Sequence, residues 1–285
     1  MSVITFVNNI EEETGKTMSL VAIATNMAID NNNRILIVST TNKKDKINDC
    51  FFGEMKARKI GFGIFGEARK TLEIESGIEG IAKMSRSNKL TPEIITNYTK
   101  VVFKDRLEVL LGTERNGSFS IDEKEIEREY IDIINVAQFY YDKIFVDLDS
   151  NLSEETRNKI IELSDIVIVN SSQNYTSLKR LKENKKKSEL FRNSKKTLVL
   201  IGRYDKFSKY NSKNITRFLE EKNQVLTVPY NTLYFEATNE AEVPDLFLKF
   251  KRLYDSEDRN ALFIQEIKRA SENINYRLQE LQAMM

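Results

Sequence analysis

The sequence predicts an α/β fold: a three-layer sandwich around a mostly parallel sheet of seven or eight strands. Two observations carry this. Short apolar runs alternate with helix-length stretches along the 285 residues, and such alternation implies right-handed crossovers and a sheet covered on both faces. The run before residue 15 is also strand-like, while Lys16–Ile29 is apolar nearly all round, as a helix packed under a sheet would be.

Taken in order, Val3–Val7 is a buried-type strand, Lys16–Ile29 a helix, Asn31–Asn33 a turn and Ile35–Val38 the next strand. Between residues 42 and 105, Phe62, Ile64 and Phe65 hint at a strand, and Ile78–Met84 and Pro92–Val102 read as helices. Strands follow at Leu107–Leu111, Ile144–Val146, Ile166–Val169, Leu198–Ile201 and Val225–Val228. Helices are expected over Asp122–Tyr140, Glu154–Leu163, Ser177–Phe191, Asp245–Tyr254 and Asn260–Ala283. Phe139, Tyr140 and Tyr141 are expected to close a core helix. The division is one main unit over 1–258 and a C-terminal helix over 259–285, docked on that unit or on a partner. Its apolar positions, Ile264, Ile267, Ile274, Leu278, Leu281 and Met285, form a packing seam. Its polar face is mixed in sign, which argues against anionic lipid.

Composition removes several chemistries. There is no histidine, which excludes histidine acid–base catalysis and most transition-metal sites. One cysteine, Cys50, allows no internal disulfide and fits a cytoplasmic setting, most simply as a small buried residue. A formal charge of +1 gives no global pull toward nucleic acid or membrane. No apolar run approaches the roughly 20 residues of a membrane span, and no secretory signal is read at the N-terminus.

The chemistry-bearing feature is Gly15-Lys16-Thr17, between the first strand and the first helix. There, backbone N–H groups face a phosphate, Lys16 reaches the β- and γ-phosphates, and the Thr17 hydroxyl holds Mg²⁺. The alternative is a tripeptide that only starts a helix. Asp147 ends a later apolar strand and suits the magnesium site; an aspartate there is by itself more often a cap for the following turn, and the phosphate loop reverses that preference. A basic stretch from Lys179 to Arg217 offers non-specific DNA contacts or, the favoured alternative, a solvated lysine-rich face.

The order of these blocks resembles the ParA/MinD family of P-loop ATPases, the deviant Walker-A group, over roughly residues 2–250. The blocks are VITFVNNIEEETGKTMSLVAIATNMAI, RILIVSTT, YDKIFVDLDSNLSEETRNKIIELSDIVIVN and LTVPYNTLYFEATNEAEVPDLF. Localisation proteins of the TadZ and CpaE type are a subgroup it resembles. The resemblance implies a P-loop NTPase-like fold and a site for ATP or ADP with Mg. Its nucleotide-binding residues are Thr14, Gly15, Lys16, Thr17 and Met18, with Arg203, Pro229 and Tyr230 where the family meets the adenine, and its metal-site residues are Thr17 and Asp147; the alternative for Arg203 and Pro229-Tyr230-Asn231 is an ordinary strand exit and turn. It also implies a homodimer that positions or recruits a protein partner. No catalytic residue is assigned, because the chain departs from the family where hydrolysis is driven. Glu11 stands in place of the signature lysine, and Glu12 and Glu13 in place of loop glycines. Ser39 and Thr41 replace the acidic pair after the second strand, and Leu148–Asn151 lacks the usual proline and glycine. Lys43, Lys44 and Lys46 could partner the added carboxylates, though a solvated run is the plainer reading. The expectation is weakened nucleotide binding with very slow or absent hydrolysis. The alternatives are an active partitioning ATPase and a nucleotide-free scaffold.

Overall fold

In the computed structural model an eight-stranded sheet organises the chain, in the order β3-β4-β2-β5-β1-β6-β7-β8. The strands are β1 (Ser2–Asn8), β2 (Ile35–Ser39), β3 (Lys100–Phe103), β4 (Leu107–Leu110), β5 (Lys143–Asp147), β6 (Ile166–Ser171), β7 (Thr197–Tyr204) and β8 (Leu226–Pro229). Every neighbouring pair is parallel except β3 with β4. The structure describes residues 1–9, 13–42, 45–53, 77–85, 90–113, 123–188, 191, 195–253, 255 and 257–284.

The central strands are near-continuous apolar runs because both faces are covered; every residue of β2 and β6 is buried. One face carries α1 (Lys16–Asp30), α2 (Lys46–Phe51), α9 (Thr232–Ala237), α10 (Val243–Phe250) and α11 (Arg259–Gln282). The other carries α3 (Ile78–Ser85), α4 (Pro92–Tyr98), α5 (Glu123–Ala137), α6 (Glu154–Leu163), α7 (Tyr175–Lys187) and α8 (Ser212–Leu219). This is the three-layer sandwich that the alternating pattern predicts. Helix α1 has no polar face over its middle: Ser19–Ala28 are all buried between the sheet, α10 and α11. In α11, Ile264, Ile267, Ile274 and Leu278 enter the same core cluster as Leu20 and Phe247. Ion pairs Arg269–Glu266 and Arg277–Glu280 lie on that helix's more open side. Cys50 is buried against the Met18 sulfur, 3.9 Å away, and burial pushes its thiol pKa up. Among the described residues no helix is long and apolar enough to cross a membrane.

The structure corrects several expected elements. The helix read over Pro92–Val102 stops at Tyr98, where Thr99 turns extended. Val101 and Val102 belong instead to β3, because β-branched residues pair well on an edge strand and β4 offers an antiparallel partner. Phe139 is 81% exposed and stays out of the core, whereas Tyr141 is buried in it and Tyr140 packs partly buried against it. Helices α8 and α9 were not anticipated; each begins at an asparagine whose side chain accepts a backbone N–H, Asn211 from Asn214 and Asn231 from Tyr234. The strand hint at Phe62, Ile64 and Phe65 lies outside the described residues, as do Asp122, Tyr254 and Met285.

Candidate functional site

The sheet brings the carboxyl ends of β1, β5, β7 and β8 to the N-terminus of α1. The loop into α1 is set by Gly15, whose φ of 79° lies in the left-handed region that glycine takes without strain. The preceding Thr14 is buried, and its hydroxyl donates to Asn8 Oδ1 at 2.6 Å. No side chain caps α1 and no acidic residue sits in its first turn. The positive end of the helix therefore points into the cleft without a competing carboxylate of its own.

The cleft's electrostatic centre is Asp147, the last residue of β5. It stands in register with Phe6 of β1 and Ser39 of β2. Lys16 Nζ lies 2.7 Å from Asp147 Oδ1 and also donates to the Leu148 carbonyl. The Thr17 hydroxyl donates to Asp147 Oδ2 at 2.7 Å. The Lys16 and Asp147 side chains are only 10% and 8% exposed, so this is a largely buried ion pair. Both oxygens of the carboxylate are engaged by the two residues expected to hold phosphate and metal.

The residues expected to hold nucleotide and metal meet here. Thr14, Gly15, Lys16, Thr17, Met18, Asp147, Arg203, Pro229 and Tyr230 border one cleft of about 950 Å³. Met18 contributes mainly backbone, its carbonyl accepting from the Tyr234 hydroxyl at 2.6 Å. Arg203 is a non-glycine residue at φ 50°, a strained conformation of the kind that clusters at ligand sites. Its guanidinium lies 3.7 Å from the Glu13 carboxylate. Glu13 is 93% exposed, so its charge faces solvent rather than the cleft centre. Glu11, Glu12, Lys43 and Lys44 lie outside the described residues; Lys46 is exposed at the cleft rim. Tyr230 and Phe235 are both more than half exposed and tilt against each other, ring centroids 6.4 Å apart.

Three cleft features escaped the sequence reading. Asn8 anchors the loop from below, as described. Thr40 ties β2 to β5: its hydroxyl donates to the Asp147 carbonyl at 3.1 Å and accepts from Asp149 N at 2.8 Å. Asp45 is buried and caps α2, accepting from Ile47 N at 2.9 Å and Gly112 N at 3.1 Å. An aspartate at the N-cap position before Ile47, Cys50 and Phe51, apolar at helical spacing, was the available signal. Burial, reinforced by the nearby Asp147 charge, holds the Asp45 carboxyl above its ordinary value of 3.8. An acid whose folded pKa is raised holds its proton better folded than unfolded. Its contribution to stability is therefore present below 3.8 and falls as pH rises through the folded value. Asp45→Asn is expected to be relatively more stable at pH 7 than at pH 4, compared with wild type in parallel thermal melts.

No family model matches the chain, and no curated protein matches it. Solved structures do. A ParA family ATPase from Chlorobium tepidum superposes with a TM-score of 0.63 at 14% identity, covering 94% of this chain and 98% of that one. A plasmid partition protein from Borrelia burgdorferi bound to AMPPNP gives 0.59 at 16% identity, covering 99% and 98%. The septum site-determining protein MinD of Pyrococcus horikoshii, complexed with Mg-ADP, gives 0.60 at 13% identity, covering 96% and 95%. The chain has the ParA/MinD fold. At these identities the likeness extends to the architecture of the ParA/MinD ATPases, an eight-stranded, mostly parallel sheet with helices on both faces. It spans nearly the full length of both partners in each comparison.

Proposed function

We propose that this chain is a ParA/MinD-like nucleotide-binding protein that acts as a dimeric positioning or recruitment factor, with very slow or absent hydrolysis. The observation that carries the reading is the Lys16–Asp147–Thr17 arrangement at the head of α1, open to the cleft. An ammonium, a hydroxyl and a carboxylate at a helix N-terminus are the groups that a Mg-nucleotide needs. The AMPPNP and Mg-ADP in two of the structures above support the same ligand class. Arg203, Pro229 and Tyr230 would hold the base, with the Tyr230 and Phe235 rings as an apolar wall.

Thr17 and Asp147 fit magnesium, which takes hard oxygen donors. Among the described residues no cluster of three or more acidic, cysteine or histidine side chains forms a cage. That suits an ion which fills its shell with phosphate oxygens and water. Bound there, magnesium would neutralise phosphate charge; this chain's residues would orient the phosphates and keep the ion in place.

Slow hydrolysis follows from the residues beside Asp147. Ser39 is its β2 neighbour, and it and Thr41 stand where a carboxylate pair would place water and metal. Among the described residues neither Ser39 nor Thr41 supplies a carboxylate there, and phosphoryl transfer without a group aimed at the attacking water or the developing charge loses most of its catalysis. A scaffold reading has one observation in its favour: Lys16 is already engaged by Asp147 and Leu148. DNA partitioning is not favoured. In the basic stretch, Lys182 pairs with Glu220, Lys185 pairs with Glu221, and Lys196 is spent on three carbonyls; Arg192 lies outside the described residues.

Calorimetry with Mg-ADP and Mg-AMPPNP, sedimentation in Mg-AMPPNP and an ATP turnover assay test the proposal together. The expected results are saturable heat, a nucleotide-dependent dimer, and turnover on the order of 10⁻³ s⁻¹ or slower, the scale of a switch NTPase without its arginine finger. Faster turnover stimulated by DNA supports an active partitioning ATPase. No heat and no thermal shift support the scaffold.

A further inference from the structure

The loop that precedes α1 has its remaining glycine only at Gly15, yet its backbone packs closely against a neighbouring strand. At Gly202 in β7, an added Cβ would stand 2.2 Å from the Thr14 carbonyl oxygen and 3.3 Å from Ser19 Oγ. Real Cβ contacts below 3.0 Å essentially do not occur, so only glycine admits the loop at this height. The next residue, Arg203, stands beside the next loop residue: a Cβ added at Gly15 would meet Arg203 Cγ at 3.5 Å and its backbone N at 3.9 Å, ordinary contact distances. Two consecutive β7 residues therefore lie alongside two consecutive loop residues. From β1, Asn8 holds Thr14 in place through the 2.6 Å hydrogen bond.

We infer that Gly202 is a positioning residue for the phosphate site. By letting the Thr14 carbonyl rest on β7, it fixes the height of Thr14 and Gly15, and with them the aim of Lys16 and of the first-turn N–H groups of α1. The close approach at Thr14 is admitted from outside the loop, by a glycine nearly 190 residues later in the chain. A methyl group at 202 must move the Thr14 carbonyl by about 1 Å to reach ordinary contact, and misplacement on that scale weakens a preorganised site by about tenfold to 100-fold.

The inference rests on the nucleotide reading above, and the test separates the two. Mg-ADP is titrated into wild type, Gly202→Ala, Thr14→Val and Gly77→Ala, with melting temperatures measured in parallel. Gly77→Ala is the steric control. Its added Cβ meets the Leu111 carbonyl at 2.8 Å at a φ of 90°, and it does not border the cleft. The expected result is at least about tenfold weaker Mg-ADP binding for folded Gly202→Ala. Thr14→Val, which loses the Asn8 anchor, is expected to bind about fivefold more weakly. Gly77→Ala is expected to melt earlier with unchanged affinity, a separation that a general structural role does not produce. Wild-type affinity in folded Gly202→Ala overturns the inference alone. If Gly202→Ala does not fold, wild-type affinity in Thr14→Val overturns it. A wild-type chain that gives no heat with Mg-ADP overturns the nucleotide reading and this inference with it.

Discussion

Lys16→Ala is expected to abolish nucleotide binding and, in the same stroke, to lower folding stability by about 3 kcal/mol. Both effects come from one side chain. Lys16 is the cation available to phosphate at the head of α1, and it is also the counter-charge of Asp147, 2.7 Å away and 8% exposed. Removing one partner of a largely buried pair leaves the other carboxylate uncompensated, apart from the Thr17 hydroxyl. A double-mutant cycle isolates the pair. Asp147→Asn should be milder, and Lys16→Ala combined with Asp147→Asn should be no worse than Lys16→Ala alone, a coupling of about 1–3 kcal/mol. Urea unfolding of the four proteins measures it. Additive losses would show that the two side chains are neighbours without being energetically coupled.

The second large effect concerns magnesium. Asp147 Oδ1 and the Leu148 carbonyl take two of the three N–H groups of Lys16, so a phosphate that draws the ammonium toward itself competes with Asp147 for it. When it turns to a phosphate, Asp147 loses its charge partner inside the protein. A divalent cation arriving at Thr17 and Asp147 restores that partner. Cation and phosphate are therefore expected to bind with strong positive coupling: magnesium should tighten ADP binding to wild type by about 100-fold, the scale of leaving one such carboxylate unpaired. In Asp147→Asn the restraint on Lys16 is gone. That variant should bind ADP in EDTA more tightly than wild type does, with a much smaller gain from magnesium. Titrations in EDTA and in magnesium compare the two. An equal magnesium gain in wild type and variant would mean that Asp147 plays no part in the coupling.

Much of the architecture was legible because it rests on local pattern. The apolar runs of β1, β2, β5 and β6 are continuous, and α1 is apolar all round, so their types follow from the residues alone. Gly15, Lys16 and Thr17 were legible for the same reason: strand, turn and helix adjoin in sequence. What was not legible is tertiary. Asp147 is 131 residues from Lys16, and they meet because β5 pairs with β1, an adjacency that sheet order decides. A glycine in an apolar strand points to a bulge or a close backbone approach, but nothing local says that the carbonyl approaching Gly202 is that of Thr14. The helix expected over Pro92–Val102 failed at Thr99 because pairing with β4 outweighed helical periodicity in Val101 and Val102. No local pattern marks Asp45 or Asn8 as part of the cleft: Asp45 gains its weight from burial beside the cleft, and Asn8 from the hydrogen bond that it accepts from Thr14.

The most direct measurement is the affinity of Mg-AMPPNP for the wild-type chain and for Lys16→Ala, by calorimetry under identical conditions. A lysine that leaves its carboxylate to take a phosphate predicts saturable binding in wild type and none in the variant. Heat that survives the loss of Lys16, or its absence from both proteins, contradicts the assignment of this cleft to a nucleotide held by the first turn of α1.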